Sequence, residues 1–379
     1  MRATVSQAPQ QTYSQIYPVI RGIQAGREFY VTMMPMNLLA TGLFTFADPQ
    51  LAPELRAQRV LNKARVPEIV RYILAHPNDY VFSAITASVD RLVNFTARLE
   101  FDKAGRIGDL AIPLDARFII NDGQHRRAAI EQALKSNPNI GHETIPVVLF
   151  VDAGLKRSQQ MFADLNKYAI RPTRSLGVLY DHSDPVAKVV RELMVNVNVF
   201  QDRIEKEGTT ISNRSRNLFT LSAVYQATLA LLGKKKKSER VGQEEAHIAF
   251  EYWNELAQHI PEWKELLEGK QTAAQLRHSY VHSSGVMLHA LGIAGRALII
   301  AHPTSWKQKL SRLEQIDWLK SNPAWEGRAM AGGRLSKTAV NVLLAANYLK
   351  TKLGIPLTTE EQRIENEHTR GRSLAVVSK

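Results

Sequence analysis

The feature that most constrains the fold is a change of period at one dipeptide. Arg117-Phe118-Ile119-Ile120-Asn121 is a short apolar run of strand type, Asp122-Gly123 breaks it, and Gln124-His125-Arg126-Arg127-Ala128-Ala129-Ile130 resumes with helical spacing. A strand that turns directly into a helix has the layout of an anion site. Gly123 supplies freedom at positive φ, and the first amides of the helix have no intrahelical acceptor and carry partial positive charge. Arg126 and Arg127 add forked donors suited to phosphate oxygens. Asp122 suits a general base or a magnesium contact, Gln124 a polar neighbour, and His125 a proton donor or a neutral hydrogen-bond partner of a phosphate. The same residues also admit a plainer reading, in which Asp122 caps the helix while Gln124 and His125 pack locally.

Around this turn the first part of the chain reads as α/β or α+β. Strands are expected over 28–34, 80–89, 107–112 and 145–151, helices over 53–75, 124–134 and 155–168, and a hairpin turn at Asp102-Lys103-Ala104-Gly105. This order predicts a parallel or mixed sheet with helices packed on it, and ligands gather at the carboxyl ends of strands in such sheets. Beyond about Pro185 the spacing is helical over 186–199, 218–232, 244–258, 283–300, 306–313 and 338–353. The expected layout is a mixed-sheet domain over 1–180, a mainly α-helical domain over 181–357, and a charged, poorly ordered tail over 358–379.

Composition narrows the chemistry. The 49 Lys and Arg residues exceed the 36 Asp and Glu by 13, which points to an anionic partner, with nucleic acid the foremost candidate. The chain has no cysteine, which excludes disulfides, thiolate metal sites and cysteine nucleophiles. No apolar run is long enough to span a bilayer, and residues 1–12 lack the layout of a signal peptide. A cytoplasmic, nucleoid-associated protein without a membrane partner is expected. Arg277-His278-Ser279-Tyr280-Val281-His282 holds two histidines four apart, but no third ligand is identifiable in sequence, so no metal site is assigned.

Asp122-Gly123-Gln124-His125-Arg126 is also the signature of a known family. With Arg59 to Arg65, Phe162-Ala163-Asp164-Leu165-Asn166-Lys167, Ser212-Asn213-Arg214-Ser215-Arg216 and Ala324-Trp325-Glu326-Gly327-Arg328, it makes nearly the whole chain resemble the DndB-type proteins of bacterial DNA phosphorothioation (DNA sulfur modification) systems. The signature further resembles the Gly-x-x-Arg turn of the ParB and sulfiredoxin-like fold, here Gly123-Gln124-His125-Arg126. Sulfiredoxin chemistry needs a cysteine between that glycine and histidine; Gln124 stands there instead, so that activity is excluded. The resemblance implies that the helix holding Asp164, Asn166 and Lys167, and the turn Arg171-Pro172-Thr173-Arg174, lie beside the signature, as further pocket residues for a nucleotide. ATP, GTP or CTP with Mg2+ is the cofactor such a site would take.

For DNA the candidate contacts are Arg59, Lys63 and Arg65 on a helix, Arg214 and Arg216, the run Lys234-Lys235-Lys236-Lys237, and Arg334 with Lys337 after Gly332-Gly333. A solvated loop between helices is the plainer account of the lysine run. Two function classes follow. One is a regulator that binds double-stranded promoter DNA of its own phosphorothioation operon and represses it, linked in function to the modification proteins encoded nearby. The other is a ParB-like NTPase, or a nuclease, centred on Asp122, Gln124, His125 and Arg126. A homo-oligomer is compatible with either, and the sequence leaves the oligomeric state open.

Overall fold

The computed structural model describes residues 13–41, 44–45, 65–152, 157–167, 172–235 and 239–377. The chain divides into two compact units, Met1–Ile170 and Arg171–Lys379. The division falls before the Arg174–Tyr180 helix, which packs on the helices that follow it.

In the first unit, strands β1 (Ser14–Gln24), β2 (Arg27–Pro35), β3 (Phe44–Thr45), β4 (Ile85–Val89), β5 (Asn94–Ala97), β6 (Ile107–Pro113), β7 (Phe118–Asp122) and β8 (Thr144–Val151) form one mixed sheet, ordered β3-β7-β4-β8-β2-β1-β6-β5. The β3/β7 and β4/β8 pairs are parallel and the rest are antiparallel. Helices α1 (Met36–Ala40), α2 (Val66–Ala75), α3 (Gln124–Ser136) and α4 (Ser158–Lys167) complete the unit, with α3 packed on α1 and α2. Its core joins Ala87, Ile120, Val147 and Leu149 of the central strands to Ile73, Ala129, Ile130 and Ala133 of the helices, all fully buried. Each large apolar side chain there contributes about 1.5–3 kcal/mol relative to exposure.

Two elements depart from the sequence expectation. The strand expected over 80–89 begins only at Ile85, because Tyr80 and Phe82 pack as a ring pair outside the ladder. Strand β1 was not foreseen. Its apolar residues lie on both faces, with Tyr17 and Val19 buried and Ile16 and Ile20 exposed, so period-two alternation is lost, and Pro18 weakens the pattern further. Ala25 and Gly26, at φ 50° and 72°, close its hairpin to β2, as a two-residue turn of right-handed twist requires.

The second unit is helical: α5 (Arg174–Tyr180), α6 (Pro185–Asn196), α7 (Leu221–Leu232), α8 (Gln243–Gln258), α9 (Pro261–Leu267), α10 (Ala273–Ser279), α11 (Gly285–Ala301), α12 (Trp306–Leu310), α13 (Ala339–Leu353) and α14 (Thr359–Val377). All five tryptophans of the chain are buried here. Phe219, Trp263, His282, Trp318, Trp325 and Tyr348 form a continuous chain of ring contacts with centroids 4.9–5.9 Å apart. Offset and edge-on pairs of this kind add about 0.5–1.5 kcal/mol each beyond their buried area. The segment 358–379, expected to be poorly ordered, is helical over Thr359–Val377. Its acidic residues are fixed by cations of the preceding elements: Arg328 holds Glu365 through two bonds of 2.7 Å, and Lys350 holds Glu361. Among the described residues no helix is long and apolar enough to cross a membrane.

His282 sits wholly buried within the aromatic chain, its Nδ1 accepting from Trp263 Nε1 at 3.0 Å. Burial holds its imidazole below the ordinary histidine value, against the opposing pull of Glu262. The unfolded chain therefore binds this proton first, so stability is full above about pH 6.5 and falls as pH drops below it. Thermal melts at pH 7.5 and 5.5 should show a lower midpoint at 5.5, and His282→Gln should shrink that difference. Equal midpoints for the parent protein would contradict a neutral buried His282.

Candidate functional site

Strand β7 reaches α3 through a single residue. Gly123 lies at φ 104°, and a Cβ there would stand 2.9 Å from Ile85 Cγ1 and 3.2 Å from Arg126 Nη2. Glycine alone meets both the backbone and the space. No side chain caps α3, so Asp122 is not the cap that one reading expected. Its Oδ2 instead accepts from Arg126 Nη2 at 2.7 Å. Arg126 Nη1 donates to the Ser83 carbonyl at 3.0 Å and to the Ser83 hydroxyl. Arg127 donates to Glu131 at 2.8 Å and to the Ala40 carbonyl at 3.4 Å. Both guanidinium groups, expected as phosphate donors, thus also have partners within the fold. A rigid five-donor fork beside a sharp turn meets backbone carbonyls within its own reach.

Beside the uncapped start of α3 stands one further cation from another element. Arg65, at the start of α2, is exposed and acts electrostatically on His125. Burial first, then Arg65, holds the His125 imidazole below the ordinary histidine value, against the opposing pull of Asp122. Gln124 is only 8 % exposed, and its Oε1 has no hydrogen-bond partner. A buried amide oxygen without a partner costs about 1–3 kcal/mol, so it marks a place where a donor is wanted. Sequence placed Arg65 among the DNA contacts; the structure places it with the signature. Arg59 and Lys63 lie outside the described residues.

Helix α4 packs against β7, which brings the Asp164 helix to the signature strand. Asp164 is exposed and accepts from Gln160 Nε2 at 2.7 Å, a local pair one helical turn apart. The side chains of Asn166 and Lys167, and the whole of Arg171, lie outside the described residues. Thr173 and Arg174 belong to the second unit. Thr173 caps α5, accepting from the Leu176 amide at 3.2 Å, and donates to the Glu207 carbonyl.

In the second unit the loop 212–217 is fastened by one residue that sequence did not single out as a contact. Arg277 donates to the carbonyls of Ser212 at 2.8 Å, Asn213 at 3.2 Å and Ser215 at 3.1 Å, and to that of Asn217. Nothing local marks Arg277, since its partners lie some sixty residues upstream. The loop so held carries Arg214 and Arg216, both exposed and without a hydrogen bond or ion pair among the described residues. They border a hollow of about 500 Å³. Arg334 is exposed after the Gly332-Gly333 turn, where φ values of 56° and 75° join strands β9 (Met330–Ala331) and β10 (Arg334–Leu335). Lys337 follows it and, with Arg174, lines one cavity of this unit. The lysine run divides: Lys234 is spent on Glu245 at 2.6 Å, Lys235 is exposed, and Lys236 and Lys237 lie outside the described residues. His278 is exposed and His282 is core. Among the described residues, no group of three or more His, Asp or Glu is placed to hold a metal.

Gly123→Ala should cost about 1–3 kcal/mol of stability, because it forces a side chain into the left-handed region against Ile85. Arg126→Ala should cost a similar amount, about 1–3 kcal/mol, by stripping Ser83 and Asp122 of their partner. Denaturant midpoints check both. An unchanged midpoint for Arg126→Ala would show those bonds to be dispensable and return Arg126 to the anion donors.

Comparison with known families gives one match. A family model described as DndB, DNA-sulfur modification-associated, matches residues 17–356, a span holding the signature turn, the Arg277-bound loop and the Gly332-Gly333 hairpin. No curated protein and no solved structure matches the chain.

Proposed function

This chain belongs to the DndB family of DNA-sulfur modification-associated proteins, and from that premise we propose that it is a DNA-binding regulator that represses the operon of its own modification system. The observation that carries the reading is the fastened loop. Two exposed arginines without partners among the described residues, on a segment held by four carbonyl bonds from Arg277, form a cationic pair on a pre-organised loop of the helical unit. Little backbone freedom of the loop remains to be lost when the pair meets a sugar-phosphate backbone. The net charge of +13 gives a long-range attraction toward the same partner.

At the signature turn the same reading assigns phosphate contact to the Gln124 and His125 amides together with Arg65. The strand, glycine turn and uncapped helix support kinship with the ParB and sulfiredoxin-like phosphate turn. For the hydrolase alternative the support is weaker, because the Asp122 carboxylate is bound at 2.7 Å to Arg126 and thereby tied into the scaffold. A general base must be within reach of the proton it removes.

The test is DNA binding to the region upstream of its own operon and to a scrambled duplex, each titrated across salt. The native duplex should win, and affinity for both should fall with salt by roughly 0.9 log units per phosphate contact and decade of salt. Arg214→Ala with Arg216→Ala should weaken binding to both duplexes and reduce the salt slope by about two. Equal affinity for the two duplexes would end the repressor reading, and an unchanged slope would move the contact away from the fastened loop.

A further inference from the structure

The helical unit holds a cavity of about 640 Å³ whose lining includes Arg174, Arg277 and Lys337 and no aspartate or glutamate. Arg174 and Lys337 are exposed and have no hydrogen-bond or ion-pair partner among the described residues. Arg277 meets only carbonyl oxygens in its four bonds. Three cations therefore share one concavity with no counter-charge in its wall.

The helices that form the wall add to this field. Gly285 at the start of α11 would place a Cβ 3.3 Å from Ala223 of α7, and Gly292 would place one 2.1 Å from the Ala227 carbonyl. The contacts advance along both helices together, so α7 and α11 run side by side in the same direction with their amino ends adjacent. Both ends line the cavity, through Thr220, Ser222 and Ala223 on one helix and Ser284, Gly285 and Val286 on the other. Each end carries about half a positive charge. The Thr220 and Ser284 hydroxyls take the Ala223 and Met287 amides, and no hydrogen bond among the described residues takes the Gly285 or Val286 amide. His289, one turn into α11, lines the same space, and burial holds its imidazole below the ordinary histidine value.

The wall is not polar throughout. Ile211 and Leu335 border the cavity away from full burial. Its volume is that of a small-molecule site, which binds by apolar contact along most of the ligand and a few convergent polar groups. We propose that this cavity binds a phosphorylated small molecule of nucleotide size, its phosphate held by Arg174, Lys337 and the amino ends of α7 and α11. This site lies apart from the signature turn in the chain and does not depend on the DNA reading.

Calorimetric titration of the full chain with ATP, AMP, inorganic phosphate and a short scrambled DNA duplex tests it. ATP or AMP should bind, inorganic phosphate should compete with it, and Arg174→Ala with Lys337→Ala should weaken the nucleotide by about tenfold or more without moving the melting midpoint of the free protein. Arg214→Ala with Arg216→Ala should lower duplex affinity and leave the nucleotide unchanged, so loss of the one reading is visible apart from loss of the other. Nucleotide affinity that survives the cavity variant, or that is lost instead in Arg65→Ala, would overturn the assignment. Binding of the duplex alone, with no affinity for either nucleotide, would overturn it as well.

Discussion

The first unit depends on one backbone angle. With φ at 104°, Gly123 sends β7 into α3 with no intervening loop, and the missing Cβ leaves the space that the Arg126 guanidinium and Ile85 occupy. Every other contact of the turn follows. Arg126 can reach back to Ser83 and Asp122 only because nothing projects from position 123, and those bonds tie the start of β4 to the end of β7. The signature is thus first a device for joining a strand to a helix, and the uncapped amino end of α3 is the by-product of that joint. A residue with a side chain at 123 would disturb the scaffold and any phosphate contact together, so Gly123 cannot separate the two roles, whereas Arg65 can.

The second unit is organised by a close approach of a different kind. Gly285 against Ala223 and Gly292 against Ala227 let α7 and α11 lie closer than larger side chains would allow. Running in the same direction, the two helices place their dipoles side by side, which is unfavourable without a counter-charge at the shared end. The aromatic chain from Phe219 to Tyr348 holds this arrangement. Core packing thereby maintains a positive concavity that electrostatics alone would disperse. An anion in the cavity would relieve the strain that packing imposes, and this links the fold to its chemistry at that end.

Much of this was legible in the sequence, and the failures share a physical cause. The α3 turn, the central strands and the long helices α6, α7, α8, α11 and α13 are set by local periodicity, and reading them needs only neighbours within a turn or two. Strand β1 escaped because its apolar residues occupy both faces, a property of its place in the sheet. The 358–379 segment misled because its charge looked solvated, when Glu361 and Glu365 are partners of Lys350 and Arg328. Arg277 escaped for the same reason: its role is defined by carbonyls some sixty residues away.

Place in the fold, which composition cannot supply, separates many of the basic residues. Several cations beside tight turns or on packed helices are consumed at home: Arg126 by Ser83 and Asp122, Arg127 by Glu131, Lys234 by Glu245, Arg328 by Glu365. Arg214, Arg216, Arg334 and Lys337, carried on loops and hairpins, are exposed and have no ion pair among the described residues. The net charge of +13 is therefore a poor guide to where an anion binds, because much of the cationic surface is already neutralised by the fold. Arg277 marks the boundary between the two classes. Its carbonyl partners satisfy its hydrogen bonds and leave its full charge uncompensated, so it fastens the arginine loop on one side and charges the cavity on the other. One half-buried guanidinium thus serves both surfaces, and a change at 277 should disturb DNA contact and cavity together, where changes at 214 or 174 should disturb only one.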